Sequence, residues 1–355
     1  MVANSDTITA TTDKIVNKSA PLKPASSLPI VNIDDPQYPH YQEDVKYPPI
    51  EEFEHVDRGH KADPKKAALL GAASEIIELT PHIGTEIHGV QLNQLTDQQK
   101  DELALLVAER GVVFFRDQEI NIHEQLALGR YYGPLHIHPT SGQPKDIPEA
   151  HVVLLDGEKT KRQEYIVGRS NSDLWHTDVS YERQPPGLTT LKIDTLPPVG
   201  GDTLWASSYL AYERLSPPIQ KLLEGLEAVH SAKEQADASA RFGGPVRREP
   251  VEHTHPIIRT HPVTKRKALY VNPVFTRRIV GLSHRESDTL LRLLYDHIAG
   301  GYDFTVRFKW QKNSVAVWDN RVTVHNAIFD YLTIGRRHGL RVTPQAEKPY
   351  LEKTE

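Results

Sequence analysis

A histidine and an aspartate, His176 and Asp178, lie two positions apart in the run SDLWHTDVSY. The run is rich in residues that favour strands, and we interpret it as a β-strand. Residues i and i+2 of a strand point to the same face, so the imidazole and the carboxylate are predicted to project together, as adjacent ligands of one metal ion must. The alternative is a strand histidine hydrogen-bonded to a nearby carboxylate, and among 18 histidines such a pair also arises by chance.

The C-terminal segment brings a further histidine. It reads NSVAVWDNRVTVHNAIFDYLTIGRRHGLRV, in which an apolar strand over 314–318 precedes Asp319 and Asn320, and His325 follows. Because the chain has no cysteine, any metal site must use His, Asp or Glu. Two histidines and one carboxylate are the usual ligands of non-haem Fe(II), since this set leaves three coordination positions open for a co-substrate and oxygen.

Arginines in the same segment predict an anion-binding face. If RRHGLRV is a strand, Arg337, Gly339 and Arg341 share one face, and two guanidinium groups flank the gap that the glycine leaves. Arginine forms bidentate pairs with carboxylates and sulfonates that lysine does not copy. The alternative is a strand with surface arginines, which we accept for Arg336 because it faces the other way.

A series of motifs resembles those of the Fe(II)/2-oxoglutarate-dependent taurine dioxygenase (TauD/TfdA) family. The resemblance covers residues 69–348, and two further segments, YPPIEEFEHVDRG and VRREPVE, are similar to the fungal branch of sulfonate dioxygenases. The motifs occur in the family's order: GVVFFRDQ, GPLHIHP, LWHTDVSY, GGDTLWAS, RTHPVT, ALYVNPVFTRRIVGLS, WDNRVTVH and RRHGLRVTPQAEKP.

The resemblance implies a role for individual residues. It makes His176, Asp178 and His325 the iron ligands. It also implies two binding sites beside the metal. Thr203 and Arg337 would bind 2-oxoglutarate, and the substrate would contact His138, the backbone N–H near Val179, Phe275 and Arg341.

The implied reaction is the oxidation of a small anionic substrate with Fe(II), 2-oxoglutarate and O2. For a taurine-like sulfonate, hydroxylation next to sulfur releases sulfite and an aldehyde, with succinate and CO2. The chain departs from the taurine enzymes at the far end of the substrate: Pro139, Thr140 and Ser141 supply no tyrosine after LHIHP, Ala236 stands where an aromatic residue is expected, and Ser172 stands near the position of an expected asparagine.

These departures leave alternatives open. The same cofactor chemistry would also serve an amino acid or another small carboxylate, through hydroxylation, desaturation or oxidative cyclisation. Two other classes are a zinc hydrolase with the same three ligands, for which Arg337 would have no use, and a catalytically silent binding protein on the same fold.

The elements that must position these residues are many short strands and a few helices. Capping boxes at Thr96/Gln99 and Ser283/Glu286 predict two helices that end at Gly111 and Gly300, and helical signals also run through SPPIQKLLEGLEAVHS. Strands are predicted in VVFFR, GLTTLKIDTL, KALYVN, DFTVRFKW, SVAVWDN and GLRVT. We predict a mainly β fold with flanking helices (α+β), which the resemblance specifies as a double-stranded β-helix, a cupin-like jelly roll.

Composition indicates the domain organisation, the class of partner and the location of the protein. Residues 1–47 are rich in Ser, Thr, Pro and Lys and are predicted to form a disordered or wrapping leader, residues 48–348 a single catalytic domain, and residues 349–355 a tail. A formal charge of −5 does not favour nucleic acid, and the apolar runs are too short to span a membrane. We expect a cytoplasmic enzyme that acts on a small molecule and forms a homo-oligomer, a dimer or a tetramer.

Overall fold

The structure, a computed structural model, describes residues 45–155, 171–332 and 334–352. Within these residues, no helix combines the length and the apolar character needed to cross a bilayer. The helices are α1 Ala67–Leu70, α2 Asp97–Arg110, α3 Ile122–Tyr132, α4 Ser208–Glu213, α5 Pro217–Leu223, α6 Lys233–Arg241 and α7 His284–Ala299, with 3-10 turns at Arg58–Lys61, Leu92–Gln94, Asn171–Leu174 and Tyr302–Phe304.

The strands are mostly short. They are β1 Glu75–Glu78, β2 Thr85–His88, β3 Val112–Phe115, β4 Ala150–Leu155, β5 Leu188–Thr195, β6 Thr203–Ser207, β7 Glu227–Ser231, β8 Glu252–Pro256, β9 Ile258–Thr260, β10 Lys267–Leu269, β11 Thr276–Ile279, β12 Thr305–Phe308, β13 Ser314–Asp319, β14 Thr323–Ala327 and β15 Arg337–Val342.

Two of the sheets form a sandwich around an aromatic core. The major sheet has the order β1-β2-β3-β13-β5-β15-β4, and the minor sheet has the order β12-β6-β14. All neighbours are antiparallel except β2 and β3. Phe114 of the major sheet stacks on Phe308 of the minor sheet at 3.8 Å, and Trp205 meets Trp318 edge to face. The predicted mainly β jelly roll with flanking helices is confirmed.

Strand β13 shows why the sequence builds these layers. All six of its residues are buried. Ala316 and Trp318 face the minor sheet, whereas Val315 and Val317 pack on the side that helix α2 covers. A strand covered on both faces needs apolar residues at every position, so β13 reads as a continuous apolar run rather than an alternating one. The central strand is therefore the easiest to recognise in the sequence.

Helix ends follow the predicted capping residues. Thr96 and Ser283 both form capping boxes with the residues three positions later, Gln99 and Glu286. Gly111 ends α2 with a positive φ of 74°, a conformation that favours glycine.

Two local predictions are wrong. The helical pattern in SPPIQKLLEGLEAVHS ends at Leu223, because Gly225 takes a positive φ and Glu227–Ser231 then pairs as strand β7. The run SDLWHTDVSY is not a regular strand: Asn171–Leu174 is a 3-10 turn, His176 makes an isolated bridge, and a turn follows from Asp178.

Most of the predicted leader lies outside the described residues. From Lys46 onward the chain contacts the domain, since the Tyr47 amide donates to the carbonyl of Arg247. At the other end, the Thr260 amide donates to the carbonyl of Tyr350. Residues of both end segments therefore pack against the same domain.

A buried charge cluster joins these end segments to the sandwich. Arg321, almost fully buried, pairs with Asp57 at 2.5 Å, with Asp319 at 2.6 Å and with Glu347 at 3.1 Å. Burial alone would lower the pKa of Arg321, but the three carboxylates raise it well above its usual range. The guanidinium is held charged inside the protein, so each counter-ion contributes to stability.

We predict that Asp57→Asn lowers the free energy of unfolding by about 3 kcal/mol, because removal of one partner leaves buried charge uncompensated. Asparagine still offers an oxygen to the Gly59 amide that Asp57 caps, so the change isolates the charge. Urea denaturation measures the effect. The control is Asp303→Asn, which breaks an exposed pair with Arg214 and should cost less than about 1 kcal/mol. Equal effects of the two variants would contradict the assigned role.

Candidate active site

His176, Asp178 and His325 converge at the mouth of the sandwich. The Nε2 atoms of His176 and His325 lie 3.8 and 3.7 Å from the same oxygen, Oδ1 of Asp178. One ligand atom from each residue falls within 4.8 Å of the other two. A first-row metal with bonds of about 2.1 Å reaches all three after small side-chain adjustments. The predicted triad therefore comes together in the fold.

His176 is placed by a backbone bridge instead of a regular strand. Its N–H donates to the carbonyl of His325 at 2.9 Å, and the His325 N–H donates back at 2.8 Å. Nδ1 of His176 lies 2.8 Å from the carbonyl of Leu174, which only accepts. The ring proton therefore sits on Nδ1, and Nε2 presents a lone pair to a metal.

Asp178 is placed by the turn that follows the bridge. Its N–H donates to the side-chain oxygen of Asn320 at 3.1 Å, and Asn320 is held in turn by Trp318 and Thr189. Val179 has a φ of 39°, which is rare for a β-branched residue. Such strain persists only where the surroundings impose it, and residues of this kind cluster at functional sites.

The electrostatics of the cluster suit a divalent cation. Burial and the neighbouring His176 lower the pKa of His325 to about 3, so this imidazole is neutral. Burial acts to raise the pKa of Asp178, but the adjacent Arg341 guanidinium acts against it, and the pKa of the carboxyl lies below its usual range. Oδ2 of Asp178 and Nδ1 of His325 are buried without a hydrogen-bond partner among the described residues. Two neutral nitrogens and one anionic oxygen are a fitting donor set.

The predicted 2-oxoglutarate residues lie on facing strands. Thr203 begins β6, Arg337 begins β15, and both line the same cavity of about 660 Å³ as the His–Asp–His cluster. The Thr203 hydroxyl accepts from the indole N–H of Trp310 at 3.0 Å, which leaves its own proton to donate. Nε and Nη2 of Arg337 are buried without a hydrogen-bond partner among the described residues. These two N–H donors therefore need an acceptor, which a ligand in the cavity would supply.

One glycine makes room for Arg337, and a second lets β15 approach the backbone of β5 closely. Gly201 has a φ of 75°, and a Cβ there would lie 3.3 Å from the Cδ of Arg337. Gly339 follows a register shift between β15 and β5, and its Cβ would lie 2.4 Å from the carbonyl of Lys192. The position between Arg337 and Arg341 must therefore be glycine, because the backbone of β5 leaves no room for a Cβ.

The predicted substrate residues also line this cavity: His138, Val179, Phe275 and Arg341. Phe275 stands edge-on to His176, with ring centroids 6.4 Å apart. The far wall is formed in part by α6, whose Gln235 and Ala238 face the cavity. Ala236 is not part of the lining, whereas Phe242, just after the helix, supplies an aromatic side chain there.

Arg341 lies against the His–Asp–His cluster, which its predicted role did not require. Nη1 donates to Oδ1 of Asp178, and Nη2 donates to Nδ1 of His151, each at 2.5 Å. The imidazole of His151 packs beside that of His138, with ring centroids 4.6 Å apart. The substrate end of the cavity thus holds one guanidinium and two imidazoles.

Sequence reasoning missed His151 and Asn320. His151 and Val153 alternate into the cavity from β4, so recognition of AHVVLL as a strand would have placed the histidine beside Arg341. Asn320 stands in the WDN motif but acts through the Asp178 backbone, which no spacing reveals. Arg336 is buried, so its predicted surface position is wrong.

Four further histidines lie outside the lining of the cavity. His338 faces away from the cavity and bonds Asp194 at 2.8 Å. His230, His255 and His261 are fully buried, and burial lowers the pKa of all three. They belong to the protein interior and not to its surface.

Comparison with known proteins agrees with this geometry. The family model described as "Taurine catabolism dioxygenase TauD, TfdA family" matches residues 75–343. The chain belongs to the TauD/TfdA family. It is an oxidoreductase, a 2-oxoglutarate-dependent dioxygenase, and therefore acts on a small molecule.

Individual relatives and a solved structure are also similar to this TauD/TfdA enzyme. It is 43% identical over 324 residues to the alpha-ketoglutarate-dependent sulfonate dioxygenase of Saccharomyces cerevisiae, covering 88% of this chain and 78% of the yeast protein. It is 46% identical over 333 residues to the alpha-ketoglutarate-dependent dioxygenase cnsP of Penicillium expansum, covering 90% and 89%. The crystal structure of a taurine dioxygenase from Burkholderia xenovorans superposes with a TM-score of 0.65 at 35% identity, covering 78% of this chain and 92% of that one.

We predict that Asp178→Ala nearly abolishes binding of a divalent metal. The variant loses its only anionic ligand, so affinity should fall by more than the about 10–100-fold that loss of an outer partner costs. Anaerobic titration with Mn(II), followed by electron paramagnetic resonance, measures this without turnover. The control is Asp173→Ala, which removes a partly exposed carboxylate outside the cluster. Unchanged Mn(II) affinity in Asp178→Ala would exclude this triad.

We predict that Arg337→Gln raises the dissociation constant for 2-oxoglutarate by tenfold or more while Mn(II) affinity stays the same. A charge-assisted bond contributes about 1.5–3 kcal/mol, and the buried fork offers two donors. Calorimetric titration with 2-oxoglutarate in the presence of Mn(II) checks the loss. Arg307→Gln, which removes an exposed guanidinium paired with Asp202, is the control. If both variants bind 2-oxoglutarate as the wild type does, another group holds it.

Proposed function

We propose that the enzyme holds Fe(II) at His176, Asp178 and His325 and oxidises a small sulfonate at the carbon next to sulfur. The observation that supports this most directly is the pair of buried arginines on β15. Both line the cavity that contains the metal cluster, so one can serve the co-substrate and the other an anionic substrate. The similarity to a yeast sulfonate dioxygenase supports a sulfonate as that anion.

The residues of the chain divide the work. Arg337 and Thr203 hold the distal carboxylate of 2-oxoglutarate, and Arg341 with His138 and the Val179 N–H holds the head group of the substrate. Iron in this site, with 2-oxoglutarate and O2, supplies the oxidation of C–H to C–OH, and 2-oxoglutarate leaves as succinate and CO2.

Cleavage of the hydroxylated product into an aldehyde and sulfite needs no further protein residue. The hydroxylated carbon also carries the sulfonate, so loss of the hydroxyl proton lets a C=O bond form. The C–S bond breaks at the same time, and its electron pair leaves with sulfite. The aromatic walls, which include Phe275 and Trp318, limit the entry of water beside the metal cluster.

A second candidate is the same chemistry on an amino acid or another small carboxylate. Arg341 can bind a carboxylate as well as a sulfonate. The similarity to the cnsP dioxygenase of Penicillium expansum, whose name specifies no sulfonate, favours keeping this candidate. A zinc hydrolase or a silent binding protein would leave the unpaired donors of Arg337 without a use, and family membership speaks against both.

The deciding experiment adds Fe(II) and then 2-oxoglutarate without oxygen. A visible metal-to-ligand charge-transfer band is expected, and neither a zinc hydrolase nor a silent protein would give one. Admission of O2 with a panel of sulfonates and carboxylates should then give succinate, and sulfite only with sulfonates. Succinate formation stimulated by carboxylates alone would replace the sulfonate proposal with the second candidate.

Three broader expectations stay proposals. A cytoplasmic location is supported by the absence of cysteine from the sequence, which fits a reducing compartment. A homo-oligomer is supported by edge strand β1, where Ile76 and Ile77 are both exposed. The division into a leader over 1–47, a domain over 48–348 and a tail over 349–355 is supported by composition.

A further inference from the structure

We propose that Trp310 is a positioning residue for 2-oxoglutarate, because its indole orients Thr203 and Arg337 together. The inference rests on the proposed function, in which these two residues hold the distal carboxylate of the co-substrate. Trp310 is buried and does not itself line the cavity, so it acts through the two residues that do.

The segment after β12 fixes the indole in the aromatic core. Trp310 follows β12 by two residues, and its ring packs edge-on against Phe308, with ring centroids 5.2 Å apart. Trp205 of the neighbouring strand β6 packs on it at 6.2 Å. The backbone beside it is held as well, since Arg116 donates to the carbonyl of Lys309 at 3.1 Å. Close packing of this kind limits a side chain to one orientation.

The indole N–H sets the direction of the Thr203 hydroxyl. Nε1 of Trp310 only donates, and it lies 3.0 Å from Oγ1 of Thr203. The hydroxyl oxygen therefore accepts on that side, and its proton turns away from the indole. An ionised carboxylate only accepts, so a hydroxyl held as a donor suits it better than one that is free to rotate. The indole thus prepares Thr203 for an anionic ligand.

The indole ring also faces the second residue of the pair. The central carbon of the Arg337 guanidinium lies 5.5 Å from the centre of the Trp310 ring, within the range of a cation–π contact. This contact holds the cation without supplying an acceptor to Nε and Nη2, which have no hydrogen-bond partner among the described residues. Burial lowers the pKa of Arg337, and the neighbouring Tyr331 acts against this shift. The donors of the guanidinium therefore stay available to an anion.

The two ligand-binding residues come from different sheets. Thr203 begins β6 of the minor sheet, and Arg337 begins β15 of the major sheet. Strand pairing therefore does not set the distance between the hydroxyl and the guanidinium. Trp310 contacts both side chains, so the indole is the part of the structure that fixes one relative to the other.

The same packing permits a simpler role, in which Trp310 only fills the aromatic core. The two roles differ in the ligands that they affect. Loss of core packing lowers stability and acts on every ligand of the cavity alike, whereas loss of the indole N–H weakens only ligands that reach Thr203. Oxalate chelates a metal but has no distal carboxylate, so a comparison of oxalate with 2-oxoglutarate separates the two roles.

The test is calorimetric titration of the full-length, Mn(II)-loaded protein with 2-oxoglutarate and with oxalate. We expect Trp310→Phe, which keeps an aromatic ring but has no N–H, to raise the dissociation constant for 2-oxoglutarate about three- to tenfold. The dissociation constant for oxalate should stay the same. Trp310→His keeps an N–H at the corresponding position of its five-membered ring and should recover part of the loss.

A double-mutant cycle tests whether the indole acts through Thr203. Thr203→Val removes the hydroxyl. The combination of Trp310→Phe with Thr203→Val should bind 2-oxoglutarate about as weakly as Thr203→Val alone, because the N–H then has no hydroxyl to orient. Independent effects would multiply instead.

The control for packing is Phe114→Leu, which alters the same aromatic core at its stack on Phe308. It should lower the thermal midpoint and leave both dissociation constants unchanged. Trp310→Met, which also lacks the N–H, carries the test if Trp310→Phe does not fold. An unchanged ratio of the two dissociation constants in the Trp310 variant, or losses that multiply in the double variant, would overturn the inference. If Thr203→Val and Arg337→Gln both bind 2-oxoglutarate as the wild type does, the proposed co-substrate site itself fails.

Discussion

Two backbone hydrogen bonds between His176 and His325 are the constraint on which the site depends. They fasten a turn-rich segment to strand β14 at one point, and a histidine stands at each end of the bridge. Because the bridge fixes both backbones, the two imidazoles approach within 4.1 Å of each other, measured between ring centroids. Asp178 then needs only the turn after the bridge to complete the cluster. The His–Asp–His cluster thus depends on one pairing between distant parts of the chain.

On the opposite side of the cavity, the side chains of β15 alternate between the inner and the outer face of the sheet. Arg337 and Arg341 point inward, while His338 and Leu340 between them point outward. The pairing of β15 with β5 shifts register between His338 and Gly339, and both arginines still line the cavity. One strand therefore places two guanidinium groups in the same cavity. Arg341 also pairs with Asp178, so this strand contacts the His–Asp–His cluster directly.

The sequence predicted what local pattern and motif spacing encode, and missed what depends on tertiary contacts. The fold class, the capped helices and strand β13 follow from periodicity and capping residues. The grouping of His176, Asp178 and His325 was implied by the family resemblance and the inward arginines by strand alternation, although the strand assumed for His176 and Asp178 proved to be a bridge and a turn. The network around Asn320 and the pairing of Arg341 with His151 were missed, because both join residues far apart in the chain. Burial of Arg336 was missed for the same reason.

The carboxylates around Arg321 come from inside and outside the segment that the family model matches. The family-matching segment, residues 75–343, contains Arg321 and Asp319 but neither Asp57 nor Glu347. A fragment cut to residues 75–343 would therefore bury the Arg321 guanidinium without two of its three carboxylate partners. Charge balance in this buried cluster therefore depends on residues from both sides of the segment that the family model matches.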